Sequence, residues 1–223
     1  MSLATRLKAA YAGLALADAA LSTSRRPWAH KARFVTKPLL MPLLSASLVT
    51  TPGSSSARRP VLLAQAAGWV GDVALLSEHR RPFVVGTAAF GAGHLAYLAA
   101  FAPRGRAQPP PVRDPRARAL AALWAATAPV MAWDARRDGV AGTVATYSAL
   151  LTSMAVSATR LDADQPAAAR RLIAAGALTF LASDATLGMR KFVLDEPSPV
   201  VEGVVMATYT AAQVLLSEGA SRL

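Results

Sequence analysis

The chain has 223 residues, of which 53% are hydrophobic and 17% are charged, and its mean hydropathy is +0.33. This balance is too apolar for an ordinary soluble domain and indicates a membrane protein. The absence of cysteine excludes disulfide bonds, thiol nucleophiles and cysteine-based metal sites, and it leaves the redox compartment undetermined.

The net charge of +11 is of the size seen in nucleic-acid-binding domains. However, the arginines fall in short clusters between apolar runs, and they match no motif that binds RNA or DNA. Basic loops that face anionic lipid headgroups explain this distribution better. We therefore expect membrane lipids, and not nucleic acid, to be the partners of this charge.

Eight apolar stretches are candidates for membrane-spanning helices, each close to the length of about 20 residues that a span needs. They cover residues 4–22, 34–51, 60–77, 83–102, 118–133, 139–158, 170–189 and 198–217. Arginine, proline or glycine separates most of them. We expect an all-α, multi-pass helical bundle of about eight transmembrane helices, forming one integral membrane domain over residues 1–223 in a bacterial inner membrane.

The first stretch has a basic start and an apolar run, as a signal peptide would have. Asp18 interrupts the run and further apolar stretches follow, so we interpret it as a retained first span. The longest connection lies at about residues 103–117 and is rich in proline and arginine. We expect it to be an exposed linker between two four-helix halves, because neither half has a soluble core.

Two short acidic motifs occur at matching places in the third and seventh stretches. Each has a small residue, an aspartate, two further residues and a leucine, in the segments 71–75 and 183–187. A basic pair and a phenylalanine follow each motif, and a four-plus-four internal repeat would explain the match. Four spans separate Asp72 from Asp184, so their helices run in the same direction and the two carboxyl groups should lie at similar depth.

An ionisable group within hydrocarbon is costly unless it faces a cavity or a partner, so Asp72 and Asp184 suggest a shared functional site. The alternative is that each aspartate only joins helices or reaches the interface. Lys37 is either an interfacial residue or a ligand for phosphate or carboxylate. His94 and Tyr97 share one face of the fourth stretch, which is also the pattern of a packing face. Weaker signals come from single polar residues in the sixth and eighth stretches: Tyr147, Glu202, Tyr209 and Gln213.

Taken together, these residues resemble the YhhN/TMEM86 family of integral membrane proteins. The resemblance lies in Lys37-Pro38, Gly71-Asp72, the segment 83–97, Tyr147, the segment 176–192, Tyr209 and Gln213. It implies eight transmembrane helices and hydrolysis of the vinyl ether bond of lysoplasmalogens, a class of lysophospholipid, to a fatty aldehyde and a glycerophospho-alcohol. The acidic positions of the family correspond to Asp72 and Asp184.

The implied reaction suits two buried carboxyl groups. Acid protonates the outer alkene carbon, an oxocarbenium ion forms, and water adds, so the site needs a proton donor and a negative charge, as in glycosidases. We expect one aspartate to donate and the other to stay charged, without assigning which, and we expect no metal or cofactor to be required. The remaining residues expected to bind the lysophospholipid substrate, its phosphate or the reacting water are Lys37, His94, Tyr97, Tyr147, Ser183, Lys191, Tyr209 and Gln213.

Three other interpretations fit the same residues. In a small-molecule or lipid transporter, Asp72 and Asp184 would relay protons or cations. In a purely structural membrane protein, the two aspartates would only connect helices. An enzyme of this kind would also suit another vinyl ether, ether or epoxide-like lipid. The sequence indicates no oligomeric state.

Overall fold

The computed structural model describes residues 1–53, 55–77 and 79–223, and these residues form eight α-helices and no strand. The prediction of an all-α bundle with eight helices is confirmed. The helices are α1 Leu3–Ser22, α2 Pro27–Thr50, α3 Arg58–Ala74, α4 Arg80–Phe101, α5 Pro115–Asp134, α6 Ala141–Ala158, α7 Ala167–Gly188 and α8 Pro199–Ala220. A π-helical turn, Met189–Val193, directly follows α7.

Most predicted ends agree with the observed ends within about three residues. The exception is α2, which begins at Pro27 and not near residue 34. Proline suits the first position of a helix because its ring fixes a helical φ and its missing N–H would be unpaired there. The arginine-rich segment before residue 34 is therefore mostly helical. The sequence did not indicate this, because its arginines and proline were interpreted as a separation between two helices.

Four helical segments are long and apolar enough to cross a membrane. They are Pro27–Thr50, Arg80–Gly105, Ala167–Val193 and Pro199–Ala220. The other four described helices, α1, α3, α5 and α6, are shorter, less apolar or more charged. The four qualifying segments indicate a membrane protein. The hydrophobic core that packs them together includes buried side chains from every helix except α5, whose Leu120 packs against it.

Seven of the helices form a closed ring. Consecutive helices pack together from α1 to α4 and from α6 to α8, while α4 contacts α6 and α8 contacts α1. Helix α5 lies outside this ring, against α6 and the π-helical turn. Its surface is therefore largely exposed, with only Ala117 and Ala128 buried.

Helix α2 contains two prolines, Pro38 and Pro42, but it is not broken at either of them. Pro42 has no N–H to donate to the carbonyl of Pro38, one turn earlier. The indole N–H of Trp69, on α3, donates to that carbonyl over 2.9 Å instead. Because the freed carbonyl has a partner, α2 continues to Thr50.

The proline-rich connection between α4 and α5 is exposed along most of its length but is fixed to the loop between α6 and α7. The backbone N–H of Asp162 donates to the Arg104 carbonyl over 2.7 Å. The guanidinium Nε of Arg160 donates to Asp114 Oδ2 over 2.8 Å. These contacts hold the start of α5 beside the end of α6.

Candidate active site

A cavity of about 230 Å³ lies inside the bundle, and its lining includes exposed residues of α5 and of the π-helical turn. Side chains from every helix except α1 line it, and most of them are apolar. They include Phe83, Phe90, Trp124, Met131 and Leu181. A cavity with this lining suits a hydrocarbon chain, with a few polar groups left to fix its orientation.

Asp72 lies near the end of α3 and is almost completely buried, at 1% exposure. Its Oδ2 accepts a 2.7 Å hydrogen bond from the Tyr209 hydroxyl of α8. Its Oδ1 lies 3.7 Å from Lys37 Nζ of α2. The carboxylate of Asp72 therefore has both a hydrogen-bond donor and a balancing positive charge.

Gly71 explains how an aromatic ring comes so close to this carboxylate. A Cβ atom at position 71 would lie 2.5 Å from the ring of Phe90 on α4. That ring packs edge to face against Tyr209, with the ring centroids 5.8 Å apart. The small residue of the acidic motif thus permits the packing that positions the tyrosine bound to Asp72.

Asp184 lies in the last two turns of α7 and is half-buried, with its exposed part facing the cavity. It accepts a hydrogen bond from the Tyr147 hydroxyl of α6. The same hydroxyl lies 3.1 Å from His94 Nε2 of α4. Because Tyr147 donates to Asp184, it accepts from His94, which places the imidazole proton on Nε2.

The two aspartates face one cavity but differ in charge balance. Asp72 has the Lys37 ammonium beside it, whereas the ion pairs of the described residues include no cation for Asp184. Two carboxyl groups in one apolar cavity tend to share a single proton. Of the two carboxyl groups, Asp184 is therefore the one without a paired cation among the described residues.

Seven of the ten predicted site residues line the cavity. They are Lys37, Asp72, Tyr147, Ser183, Asp184, Lys191 and Tyr209. Ser183 also donates to the Val205 carbonyl over 3.0 Å, which joins α7 to α8. The other three, His94, Tyr97 and Gln213, lie behind the lining: His94 reaches it through Tyr147, and the Tyr97 hydroxyl donates to Gln213 Oε1 over 2.7 Å.

A chain of ion pairs beside the cavity was not predicted. Arg190 Nη2 lies 3.0 Å from Glu202 Oε2, and Arg33 Nη2 lies 3.2 Å from Glu202 Oε1. Arg33 Nε is 3.5 Å from Asp18 Oδ1, which also accepts from Thr36 over 2.5 Å. Asp18 and Glu202 each interrupt an apolar stretch, so the sequence marked each of them individually as an unusual polar residue. Their pairing through Arg33 depends on how α1, α2 and α8 pack.

Comparison with known proteins gives consistent matches. A family model described as YhhN family matches residues 32–220. A lysoplasmalogenase of Mycobacterium bovis is 31% identical over 183 residues, which cover 79% of this chain and 66% of the relative. A lysoplasmalogenase of Mycobacterium tuberculosis matches with the same values. The match thus spans slightly less than two thirds of the length of these relatives, and no solved structure matches significantly.

Proposed function

Because this chain belongs to the YhhN family, we propose that it is a membrane-embedded hydrolase that cleaves the vinyl ether bond of lysoplasmalogen-type lysophospholipids. The products are a fatty aldehyde and a glycerophospho-alcohol. The observation that supports this proposal most strongly is the pair of aspartates facing one apolar cavity, each held by a tyrosine.

The proposed reaction begins with proton transfer from the Asp184 carboxyl group to the outer carbon of the alkene. The resulting oxocarbenium ion is stabilised by the negative charge of Asp72. Water then adds to the cationic carbon and gives up a proton to the Asp184 carboxylate, which forms a hemiacetal. Transfer of that proton from Asp184 to the glycerol oxygen breaks the carbon–oxygen bond. The hydroxyl group of the hemiacetal returns its own proton to Asp184 as the aldehyde forms, which restores the acid for the next cycle.

The neighbours of each aspartate support these two roles. Lys37 and Tyr209 stabilise the charged form of Asp72, which has to remain negative throughout the reaction. Tyr147 and His94 form a hydrogen-bonded chain behind Asp184, which fixes its orientation and can pass a proton during hemiacetal collapse. The apolar side chains around them limit access of bulk water, which strengthens the electrostatic interactions within the site.

The first test is aldehyde release from lysoplasmalogen by the protein purified in mild detergent. Asp72→Asn and Asp184→Asn are each expected to lower the rate by about 100-fold or more, because each removes a charge or a proton that the reaction needs. Asp164→Asn is the matched control, since Asp164 is exposed in the loop between α6 and α7. Gel filtration of every variant checks that the fold is retained.

The other possible results point to different functions. If well-folded wild-type protein released no aldehyde, lysoplasmalogen would be excluded as its substrate. Uptake into proteoliposomes that depends on an ion gradient, without product formation, would support a transporter in which Asp72 and Asp184 act as relays. Full activity in both asparagine variants would mean that the two aspartates serve only to join helices.

A further inference from the structure

Two basic side chains at the end of α7 line the cavity and are also accessible from outside the bundle. Arg190 and Lys191 lie on the π-helical turn that follows α7, and both line the cavity. The Arg190 side chain is 31% exposed, and the exposed Lys191 places its Nζ 4.8 Å from the centre of the Phe83 ring. π-Helical turns are rare, and those that occur within α-helices are frequent at functional sites.

The spacing between these cations and Asp184 matches the dimensions of a lysophospholipid. Lys191 follows Asp184 by seven residues, the last three of which lie in the π-helical turn, so the two residues are separated by roughly 10 Å along the axis, and both line the cavity. In the substrate, about seven covalent bonds separate the phosphorus atom from the alkene carbon that accepts the proton, a span of roughly 8 Å when extended. One lipid can therefore place its alkene at Asp184 while its phosphate reaches the turn.

Charge also favours an anion at this position. Among the described residues, three cationic and three acidic side chains line the cavity: Lys37, Arg190 and Lys191, with Asp72, Asp184 and Glu202. When one aspartate carries the catalytic proton, this lining has one net positive charge, and a phosphodiester would neutralise it. Lys37 lies beside Asp72 and balances its charge. Arg190 and Lys191 are therefore the cations of the lining that can bind the phosphate.

We propose that Arg190 and Lys191 bind the phosphate of the lipid substrate, and that Arg190 exchanges Glu202 for this phosphate when the lipid binds. The proposal rests on the proposed function. An arginine guanidinium can hold two phosphate oxygens at once. Glu202 also lies 3.2 Å from Arg33, a contact that does not involve Arg190, so the exchange would not leave the carboxylate without a partner.

Binding of lipids that cannot be hydrolysed tests the site without requiring turnover. The probes are a saturated 1-alkyl lysophospholipid and the matching 1-alkylglycerol without phosphate, titrated calorimetrically in detergent. Wild-type protein is expected to bind the phosphate-bearing lipid about tenfold more tightly or better. Arg190→Gln and Lys191→Gln should each reduce this preference by about fivefold or more, because each removes a charge-assisted contact. A failure of hydrolysis alone would not change these binding values.

Two further variants distinguish phosphate binding at this position from a general loss of positive charge and from partial unfolding. Arg59→Gln removes an exposed arginine at the opposite end of α3 from Asp72, and it should keep the full preference. Glu202→Gln frees Arg190 from its carboxylate and is expected to strengthen phosphate-lipid binding by about twofold to fivefold. A gain of affinity of this kind cannot result from partial unfolding.

Three results would overturn the proposal. Equal wild-type affinity for the two lipids would mean that phosphate is not recognised. An unchanged preference in the double variant, Arg190→Gln with Lys191→Gln, would show that these side chains do not recognise it. Displacement of the phosphate-bearing lipid by inorganic phosphate or glycerophosphate at equal concentration would assign the site to free phosphate and not to a lipid headgroup.

Discussion

Asp72 and Asp184 each accept a hydrogen bond from a tyrosine, but the two tyrosines differ in what lies behind them. Tyr209 packs edge to face against Phe90 and Phe180, with centroid distances of 5.8 and 5.6 Å. Tyr147 instead contacts the ring nitrogen of a buried histidine. The first tyrosine is held by packing, whereas the second belongs to a polar chain that can carry a proton.

Removal of the Tyr147 hydroxyl tests whether this chain takes part in the reaction. Tyr147→Phe is expected to lower kcat by about 10- to 100-fold with little change in KM. The change removes the hydroxyl that donates to Asp184 and connects it to His94. Tyr97→Phe removes a hydroxyl of the same kind that bonds Gln213 behind the cavity lining, and it should change kcat by less than about threefold. Equal losses in steady-state aldehyde release would contradict a special role for Tyr147.

For single residues, the sequence identifies candidate site residues well, but it does not predict which of them are in contact. Asp72 and Asp184 were identifiable because an ionisable group in an apolar helix needs a reason to be there. Helical spacing placed His94 and Tyr97 on one face, yet the first contacts α6 and the second contacts α8. Such pairings are long-range and are set by helix packing, to which local spacing gives no access.

Helices α7 and α8 pack backbone to backbone, and glycine makes this approach possible. A Cβ atom at Gly219 would lie 3.0 Å from the backbone nitrogen of Ile173, and one at Gly176 would lie 2.9 Å from that of Leu216. The hydrogen bond from Ser183 to Val205 continues the same seam toward the cavity. Small residues commonly permit such close contacts between membrane helices.

Gly219→Ala is therefore expected to destabilise the protein by about 1–3 kcal/mol, although alanine is the better helix former. Gly13→Ala is the matched control, because no atom of another helix lies within 4 Å of a Cβ built at that position on α1. There the same change should be neutral or stabilise the protein by up to about 1 kcal/mol. Thermal unfolding in one detergent compares them, and equal shifts in Tm would contradict close packing of α7 on α8.

Sequence patterns predicted the number of helices well and their starts less well. Apolar stretches of about 20 residues are easy to identify, and all eight were found. The extra turns of α2 before residue 34 were missed because arginine and proline were interpreted as breaks. The π-helical turn after α7 was also missed, since nothing in its composition distinguishes it from an ordinary helix end.

In the whole molecule, one ion pair outside the apolar spans fixes the start of α5 to the end of α6. Asp114 caps the start of α5, and its hydrogen bond from Arg160 connects that start to the end of α6. The Arg160 side chain lowers the pKa of Asp114 below its ordinary value of 3.8, and backbone N–H groups of α5 contribute in the same direction. The stability that this contact provides is therefore complete above about pH 5 and is lost as the pH falls through the lowered pKa.

Unfolding of wild type and Asp114→Asn at a series of pH values from about 6 to about 2 tests this link. The wild type should lose Tm toward acid more steeply than Asp114→Asn, because the asparagine cannot take up the proton. Asp164→Asn, which changes an exposed aspartate, should follow the wild-type curve. Parallel curves for wild type and Asp114→Asn would show that the ion pair does not contribute to stability.

The closed ring has a consequence for biosynthesis in the membrane. Helix α8 provides Tyr209 to Asp72, the Val205 carbonyl to Ser183, and Glu202 to both Arg190 and Arg33. It is synthesised after the other seven helices, and it also completes the ring by packing on α1. A nascent chain that stops before α8 therefore has both acidic motifs inserted, and Tyr147 of α6 is present for Asp184, but it lacks the tyrosine that binds Asp72, so catalytic competence should arise only when α8 inserts.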